Sequence, residues 1–398
     1  MALKQNTWTL NQWYDQDVAG NVSYSGAKEL YSMGYNTYGA LGQNDRTNRS
    51  SPVQIPGTNW SRMLTKYSHT SQDIGIIATK TDGTLWSWGN NNDGQLGLNQ
   101  AQAQVSALSS PTQIGSGTDW GGGGATSLYG KMAALKTDGS LFMWGSNTYS
   151  GGLGLNGPTG SGGRYSSPVQ LPGTWKTGRD TITGFYDGFL AIRGDGTLWS
   201  WGRPWHGSTG QNLGPSPSSR RSSPVQIASG TWSSVCDGGN YNVGAINTDG
   251  TLWVWGKNGY GELGLNNTTE YSSPIQVGSD ATWHKCSMTE SNTLATKTDG
   301  TLWAMGRNEF GELGQNNTTS YSSPRQVGSD TTWDINNFQI GMTSRAMKTD
   351  GTLWMFGRQD YGQFGNNSQV SYSSPVQIPG EWSSVDGMYR TTFAIKNV

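Results

Sequence analysis

The sequence predicts an all-β fold, a seven-bladed β-propeller of four-stranded antiparallel blades. Three observations lead to this prediction: one segment recurs seven times, Asp-Gly pairs separate short apolar runs, and the two ends of the chain carry complementary parts of one unit. A repeat of this length is a supersecondary unit that cannot bury its own apolar face. The copies must therefore stack on one another, as an open solenoid or as a closed ring.

Three signatures define the copies, and each occurs seven times. The first is a leucine followed by an aromatic residue and, three residues beyond that, a glycine; the leucines are Leu30, Leu85, Leu141, Leu198, Leu252, Leu302 and Leu353, spaced by 50 to 57 residues. The second is Ser-Ser-Pro, with prolines at Pro52, Pro111, Pro168, Pro224, Pro274, Pro324 and Pro375. The third is a tryptophan seven to nine residues later, at Trp60, Trp120, Trp175, Trp232, Trp283, Trp333 and Trp382.

Each copy is predicted to form four strands. The repeat tryptophan opens the first strand, and Asp-Gly joins the second strand to the third. Asp-Gly between alternating apolar runs indicates a tight hairpin, which we expect to be a primed turn with positive φ. Because proline donates no ladder hydrogen bond, we expect the Ser-Ser-Pro proline to open the fourth strand and this strand to lie at a sheet edge.

The chain ends predict how the ring closes. The chain enters the repeat pattern with a third strand (28–34) and ends with the first two strands of a unit (382–386 and 392–396). One blade is therefore expected to combine strands from both ends, and radial closure shields sheet edges. The predicted organisation is an N-terminal segment, residues 1–26, that packs or tethers, and a propeller over residues 27–398.

Composition excludes several classes of partner. Charged residues make up 13% of the chain, the net charge is −1 and the sequence pI is about 6.3. Such a chain has no basic field for nucleic acid or anionic lipid. It also lacks an apolar run long enough to span a membrane and a secretory signal pattern. We expect a soluble protein without a signal peptide, no nucleic-acid binding and no membrane insertion, located in the cytoplasm or assembled into a virion.

The residues that could carry chemistry are few. The three histidines, His69, His206 and His284, fall in different repeats, and the chain contains no P-loop, G-x-S-x-G or H-E-x-x-H motif. Cys236 and Cys286 match neither a zinc site nor a disulfide framework, so we expect buried free thiols. The sequence therefore predicts no catalytic residue, no metal, no cofactor and no enzymatic activity.

The repeat resembles a known family. DGTLWxWG, GELGLN, SSPxQ and a spaced tryptophan are similar to the RCC1-type repeat, and the resemblance runs from about Ala27 to Val398. It implies a seven-bladed propeller. The family's best-known activity is nucleotide exchange on a small GTPase, through acidic surface residues and a protruding hairpin. This chain shows no insertion of that kind, and residues 1–26 contain only one basic residue, Lys4, where the family has a basic chromatin-binding tail.

The irregularities of the repeat indicate where function lies. Between the Leu-Gly pair and Ser-Ser-Pro, five repeats have a seven-residue loop, whereas two have eleven residues (98–108 and 155–165); the repeat anchored at Leu198 is interpreted as expanding earlier, between Gly202 and Leu213. These loops share a face with the first-to-second-strand turns. The predicted binding patch is His69, Tyr129, Tyr149, Arg164, Tyr165, Tyr186, Arg203, Trp205, His206, Arg220 and Arg221. Aromatic residues with arginine are typical of contact hot spots.

The leading hypothesis is a non-enzymatic protein-interaction scaffold, a structural or attachment component of a virion. Its partners would be proteins, including other subunits of a larger assembly. Trp8, Trp13 and Tyr14 in the N-terminal segment suit a tether, and the Asn-, Ser- and Gly-rich surface suits a particle protein. Two alternatives stay open: an exchange or regulatory factor for a small GTPase, and a propeller that binds surface glycans.

Overall fold

Seven four-stranded antiparallel sheets form the ring. The computed structural model describes residues 27–65, 75–100, 104–127, 130–148, 151–157, 163–213, 219–388 and 390–397. In every sheet, strands that are neighbours in the repeat are hydrogen-bonded neighbours in space. The predicted all-β propeller is confirmed. The predicted N-terminal segment, residues 1–26, lies outside the described residues.

The blades are numbered from the first complete one. Blade 1 has β3 (Trp60–Met63), β4 (Gly75–Lys80), β5 (Leu85–Asn90) and β6 (Ala107–Gln113); blade 2 has β7 (Trp120–Ser127), β8 (Lys131–Lys136), β9 (Leu141–Ser146) and β10 (Arg164–Leu171). Blade 3 has β11 (Ile182–Phe185), β12 (Gly188–Ile192), β13 (Leu198–Gly202) and β14 (Arg221–Ala228); blade 4 has β15 (Trp232–Val235), β16 (Asn242–Asn247), β17 (Leu252–Gly256) and β18 (Tyr271–Gln276). Blade 5 has β19 (Trp283–Met288), β20 (Asn292–Lys297), β21 (Leu302–Gly306) and β22 (Tyr321–Gln326); blade 6 has β23 (Trp333–Gln339), β24 (Thr343–Lys348), β25 (Leu353–Gly357) and β26 (Tyr372–Ile378). Blade 7 has β27 (Ser384–Met388), β28 (Thr391–Asn397), β1 (Lys28–Gly34) and β2 (Arg49–Gln54).

The Thr-Asp-Gly-Thr-Leu-Trp motif builds the hairpin between the second and third strands. In blade 4 the Asp249 carboxylate accepts hydrogen bonds from the Thr251 N–H and hydroxyl (2.9 and 2.6 Å), and the Trp253 indole donates to the same hydroxyl (2.9 Å). Only the glycine of the pair has positive φ, +83° at Gly250. The expected primed turn is therefore wrong: Gly250 N–H bonds to the Asn247 carbonyl, as in a three-residue loop that ends in a left-handed residue.

The fourth strand lies at the outer edge of each blade, as expected, but the proline does not open it. Pro274 is the fourth residue of β18, and it falls where the pairing register with β17 shifts between Val254 and Gly256. A bulge on an edge strand tolerates the missing N–H of proline. The strand therefore begins three residues before the sequence predicts.

One joint connects each blade to the next. An asparagine with positive φ donates its backbone N–H to the carbonyl of the first serine of Ser-Ser-Pro in the outer strand of the following blade, as Asn266 does to Ser322 (2.7 Å). Close packing accompanies the bond: a Cβ at Gly261 would lie within 3 Å of Ser322 backbone and side-chain atoms. The hydrogen bond is present at all seven junctions, at 2.7 to 3.0 Å, from Asn44, Asn99, Asn156, Asn212, Asn266, Asn316 and Asn367.

The core is divided among the junctions. Seven clusters of buried side chains each combine residues of two neighbouring blades. The seven repeat tryptophans are buried, and so are Trp88, Trp144, Trp201 and Trp255 in the third strands. Five of the seven open a first strand as expected, whereas Trp175 precedes β11 and Trp382 precedes β27, so the prediction is wrong for blades 3 and 7. Trp253 and its equivalents are only partly buried, because their indoles pack edge-on against the first-strand tryptophans at the rim of the core.

Blade 7 closes the ring with strands from both ends of the described chain. β1 pairs with β28 along its full length, from Lys28 opposite Asn397 to Gly34 opposite Thr391. Arg345 of blade 6 is fully buried against this blade: its guanidinium donates to the Thr392 hydroxyl (2.8 Å) and to the carbonyls of Met388 (3.0 Å) and Thr391 (3.2 Å). The predicted closure is confirmed, and Arg345 holds its final hairpin.

The two cysteines form a disulfide, so the expectation of free thiols is wrong. Cys236 follows β15 and Cys286 lies in β19, and their Cα atoms are 4.7 Å apart. Cys236 lies one residue beyond Val235, the blade 4 equivalent of Cys286, and a bridge between Asp237 and Ser287 places the two inner strands side by side here. The bond therefore connects blades 4 and 5 covalently.

Replacing Arg345 by methionine should weaken ring closure. Arg345→Met leaves two carbonyls of the final hairpin without their donor in a buried site, and we expect a loss of about 3 kcal/mol in the free energy of unfolding. Urea unfolding measures it. Leu294→Met, at the same register in blade 5, is the matched control and should cost under about 1.5 kcal/mol. Equal stability of the two variants would contradict the role of Arg345.

Candidate functional site

Two faces of the ring differ in construction. One face, the loop face, holds the first-to-second-strand turns and the third-to-fourth-strand loops; the other, the Asp-Gly face, holds the second-to-third-strand turns and the connections between blades. The predicted patch belongs to the loop face. His69, Tyr129 and Tyr149 lie outside the described residues, and the other eight members can be placed.

Four half-buried aromatic rings form an aromatic cluster where blades 3 and 4 meet. Tyr186, from the β11–β12 turn, stacks on Tyr241 of the β15–β16 turn with ring centres 4.6 Å apart. Trp205 meets Tyr186 edge-on at 6.4 Å, and His206 meets Tyr241 at 5.0 Å. The Tyr186 N–H bonds to the Asn240 carbonyl (2.6 Å), which fixes the two turns together.

Charged groups surround the aromatic cluster. The Arg203 guanidinium lies 4.2 Å from the Trp205 ring centre, and the Lys257 ammonium lies 5.6 Å from that of Tyr241. His206 Nδ1 is 2.8 Å from a carboxylate oxygen of Glu270, which belongs to the next blade. Trp205 Nε1 is buried and has no acceptor among the described residues.

The remaining four predicted residues lie outside the aromatic cluster. Arg164 forms an ion pair with Asp93 of blade 1 (2.7 Å), and Tyr165 packs against the cores on both sides of blade 2. Arg220 and Arg221 lie at the start of β14, with Arg220 exposed. The structure thus brings Tyr186, Arg203, Trp205 and His206 together and places Arg164 and Tyr165 at a different junction.

Sequence reasoning missed one ring of the cluster, Tyr241, and two charged residues beside it, Lys257 and Glu270. Tyr241, Lys257 and Glu270 belong to blade 4, whose loops have the regular length and so gave no signal in the sequence.

Sequence reasoning also placed the extra residues of blade 3 at the wrong point of the loop. The Ser200 hydroxyl bonds to the Thr209 carbonyl (2.6 Å) as Ser87 does to Leu96 (2.7 Å), so Thr209-Gly210 replaces the Leu-Gly pair. The extra length therefore follows Asn212, and Trp205 and His206 occupy regular loop positions.

Cation–aromatic pairs continue around the loop face beyond the cluster. Arg307 lies 5.3 Å from the ring centre of Tyr260, Arg358 lies 4.6 Å from Phe310, and Arg390 lies 4.5 Å from Tyr361. The cations of blades 3 to 6 immediately follow the third strand, at the same position in each repeat. The face is thus a continuous series of aromatic and cationic side chains over blades 3 to 7.

The charges of the two faces have opposite sign. Among described residues that are not buried, the loop face has ten basic and six acidic side chains, namely Arg46, Arg49, Arg164, Arg203, Arg220, Arg221, Lys257, Arg307, Arg358 and Arg390 against Asp45, Asp93, Glu270, Glu290, Glu309 and Asp360. The Asp-Gly face has eight basic and twelve acidic ones, namely Lys28, Lys80, Lys136, Lys176, Arg193, Lys297, Lys348 and Lys396 against Glu29, Asp82, Asp119, Asp138, Asp195, Asp249, Asp280, Asp299, Asp330, Asp334, Asp350 and Glu381. A nearly neutral chain therefore folds into a ring with a charge difference along its axis.

A charged network fills the centre of the ring. Arg179, which precedes β11, reaches across the axis to Asn337 of blade 6 (2.8 Å) and Asp386 of blade 7 (3.0 Å). Burial would lower the pKa of Arg179, but Asp386, Asp180 and Asp237 outweigh it and raise the pKa above its ordinary value. Lys285 completes the network, 3.3 Å from Asp180.

The glycine run of blade 2 makes room for this crossing. The Gly178 N–H bonds to the Gly122 carbonyl of β7 (2.6 Å), and a side chain at Gly123 would collide with the Gly178 carbonyl. The segment that carries Arg179 therefore lies directly on the inner strand of its neighbour. The axis is occupied by ion pairs at this level, and the arrangement braces opposite sides of the ring.

The two described histidines lie far apart. His206 and His284 lie on opposite faces, and His284 Nε2 is 2.9 Å from the Asn336 side-chain oxygen. Within the described ranges, no group of three or more His, Cys, Asp or Glu side chains could hold a metal ion. The same residues contain no helix long and apolar enough to cross a membrane.

Comparison with known families identifies the repeat. The family model described as "Regulator of chromosome condensation (RCC1) repeat" matches residues 29–64, 82–119, 249–293, 299–335 and 350–392, which is half of the chain. The chain belongs to the RCC1 repeat family. The resemblance inferred from DGTLWxWG and its companion motifs is confirmed.

Relatives of this RCC1-type chain include plant and mammalian proteins. It is 29% identical over 257 residues to the ultraviolet-B receptor UVR8 of Arabidopsis thaliana, covering 62% of this chain and 53% of the receptor. It is 28% identical to the mitochondrial RCC1 domain-containing protein RUG3 of the same plant (60% and 52% covered) and 29% identical to the human X-linked retinitis pigmentosa GTPase regulator (36% and 14% covered). The chain thus spans about half or less of the length of these relatives.

Solved propellers show the same fold. Prp20p from Saccharomyces cerevisiae superposes with a TM-score of 0.76 at 15% identity, covering 94% of this chain and 92% of that one. Human WBSCR16 gives 0.75 at 16% identity, with 93% and 99% covered. At these identities the likeness concerns the ring alone.

Two buried glutamates, Glu262 and Glu312, lie beneath the loop face, and Glu262 allows the cost of burying a carboxylate to be measured. Burial raises the pKa of Glu262, whose one oxygen accepts the Tyr260 N–H (2.7 Å) while the other has no partner among the described residues. A raised carboxyl pKa means that the folded state prefers the protonated form. The stability that this group contributes is complete below its unfolded pKa and is lost as pH rises through the folded pKa.

Glu262→Gln should therefore stabilise the protein at pH 7 by on the order of 1 kcal/mol, and the gain should shrink at acidic pH. Glutamine already fills this position in blade 6, where Gln363 accepts the Tyr361 N–H (2.8 Å). Urea unfolding at several pH values measures the effect. The reverse change, Gln363→Glu, is the control and should destabilise at pH 7; a gain from Glu262→Gln that is constant with pH would contradict this assignment.

Proposed function

We propose that this chain is a non-enzymatic interaction scaffold that binds a protein partner through the aromatic cluster of the loop face. The observation that supports the proposal is the Tyr186–Tyr241 stack, flanked by Trp205, Arg203 and His206 on two blades. Trp, Tyr and Arg are the side chains enriched in contact hot spots. Their rings are half-buried and held by backbone hydrogen bonds, so binding would order few side chains.

The partners and roles of similar proteins support a protein partner. One solved RCC1-type structure is described by its binding to Gsp1p and histones, and another relative is named as a GTPase regulator. We extend the proposal to a larger assembly, such as a virus particle, to which residues 1–26 would tether the ring. The low charge content and the Asn-, Ser- and Gly-rich composition support that role.

Removing two side chains of this site should weaken partner binding. For the double variant Trp205→Ala and Arg203→Ala, we expect at least ~30-fold weaker binding, as for a hot spot worth about 2 kcal/mol. Tyr361→Ala with Arg46→Ala removes an aromatic and an arginine from another sector of the same face and is the matched control. Quantitative mass spectrometry compares what each immobilised variant retains from an extract of the producing organism.

A protein retained by wild type and control but lost by the cluster variant supports the proposal, whereas equal retention by all three contradicts it.

Two further measurements address the alternatives. Accelerated release of a fluorescent nucleotide from a purified small GTPase would favour an exchange or regulatory factor. Binding to a glycan array that depends on Trp205 would favour a glycan-binding propeller.

Deleting residues 1–26 tests the tether. The described ring contains all seven blades without this segment, so we expect the urea midpoint to change little while recovery of the ring with its assembly is lost. Co-sedimentation with the purified assembly measures recovery. Deletion that lowers stability by several kcal/mol would indicate instead that the segment packs on the ring.

A further inference from the structure

The charge difference between the faces has a regular geometry. Each third strand runs from the Asp-Gly face to the loop face, so its two ends lie on opposite faces of the same blade. In blades 3 to 6 an aspartate precedes this strand and a basic residue follows it, as Asp249 and Lys257 do for β17. The cations of one face and the carboxylates of the other therefore recur together, once in each of these four blades.

The aspartates are firmly charged. Hydrogen bonds from the Thr251 hydroxyl and N–H lower the pKa of Asp249, and the same arrangement lowers the pKa of Asp299 and Asp350. These carboxylates are exposed, and the threonines use only one oxygen of each. The Asp-Gly face thus keeps its negative charge through neutral and mildly acidic pH.

We propose that the ring binds a second copy of itself head to tail, with the loop face of one copy on the Asp-Gly face of the next and a shared axis. The basic excess of the loop face and the acidic excess of the Asp-Gly face supply the attraction. Because the two contacting surfaces differ, a pair of copies still has one free loop face and one free Asp-Gly face. The contact can therefore extend into an open stack. The inference rests on the proposed function in one respect, that the loop face is a contact surface.

A second copy fits the loop face better than an unrelated acidic protein because its charges follow the same repeat. It presents one aspartate in each of blades 3 to 6, at the same blade interval as the cations it must meet. Electrostatic complementarity of this kind governs encounter and register between partners. A different acidic partner would need to supply that spacing independently.

Sedimentation velocity of the full chain tests the stack. The Debye length is about 30 Å in 10 mM salt and about 3 Å in 1 M salt, so association should be strong in the first and at least ~100-fold weaker in the second. Wild type that sediments as a monomer at low salt over the whole concentration range would overturn the proposal.

Charge exchange gives a sharper test. The loop-face variant carries Arg307→Glu and Arg358→Glu; the turn variant carries Asp299→Asn, Asp350→Asn, Thr298→Lys and Thr349→Lys, where asparagine keeps the oxygen that caps the turn. Each variant alone should be monomeric at low salt because like charges then face each other. An equimolar mixture should associate again, since both of its alternating contacts pair opposite charges. Circular dichroism checks that both variants fold.

The outcomes separate this proposal from the proposed function. Association that the turn variant retains would mean that two loop faces meet, and it would overturn the head-to-tail stack. Absence of self-association together with partner capture that depends on Trp205 would also overturn the stack while leaving the proposed function intact. Salt-sensitive, mixture-restored association without any captured partner would support the stack and count against a foreign partner.

Discussion

Seven copies of one hydrogen bond hold the ring together. At each junction an asparagine in the left-handed region donates its N–H to a serine carbonyl on the outer strand of the following blade. This bond sets the distance between blades, and the buried side chains of the two blades fill the space behind it. The bond from Asn367 to Ser50 joins blade 6 to blade 7, so this junction is built like the others. The loop residues that form the joint also support the aromatic cluster.

Residues that recur could be interpreted from the sequence, and residues that occur once could not. Tryptophan, Asp-Gly and Ser-Ser-Pro mark strands and turns because each copy needs the same local geometry, so blade number, strand order and closure were all predictable. Arg345, Arg179 and the disulfide each connect positions that have no equivalent pair in other blades. A hydrophobic position occupied by arginine, as at residue 345, is a signal only when the neighbouring blade is known. Two predictions were wrong, that the proline opens the fourth strand and that Asp-Gly forms a primed turn. Strand register and turn type depend on how the strands pair, and the spacing of residues in the sequence does not determine that pairing.

The candidate site was only partly predictable for a related reason. Attention to blade 3 found Tyr186, Trp205 and His206, because the residue types there differ from the consensus although Trp205 and His206 occupy regular loop positions. Their partners Tyr241 and Glu270 lie in a blade of ordinary length, and only the ring geometry brings them into contact. These contacts form at a junction between blades, so a prediction made one repeat at a time finds one side of each contact.

Blade 7 breaks the symmetry of the Asp-Gly face. Six blades place an Asp-Gly turn there, whereas blade 7 has the chain crossing at residues 28 and 397 in its place. Both positions lie on the side of the ring away from the aromatic cluster. This single difference gives a nearly seven-fold ring one distinguishable rotational setting, so its blades are not interchangeable to anything that contacts the Asp-Gly face.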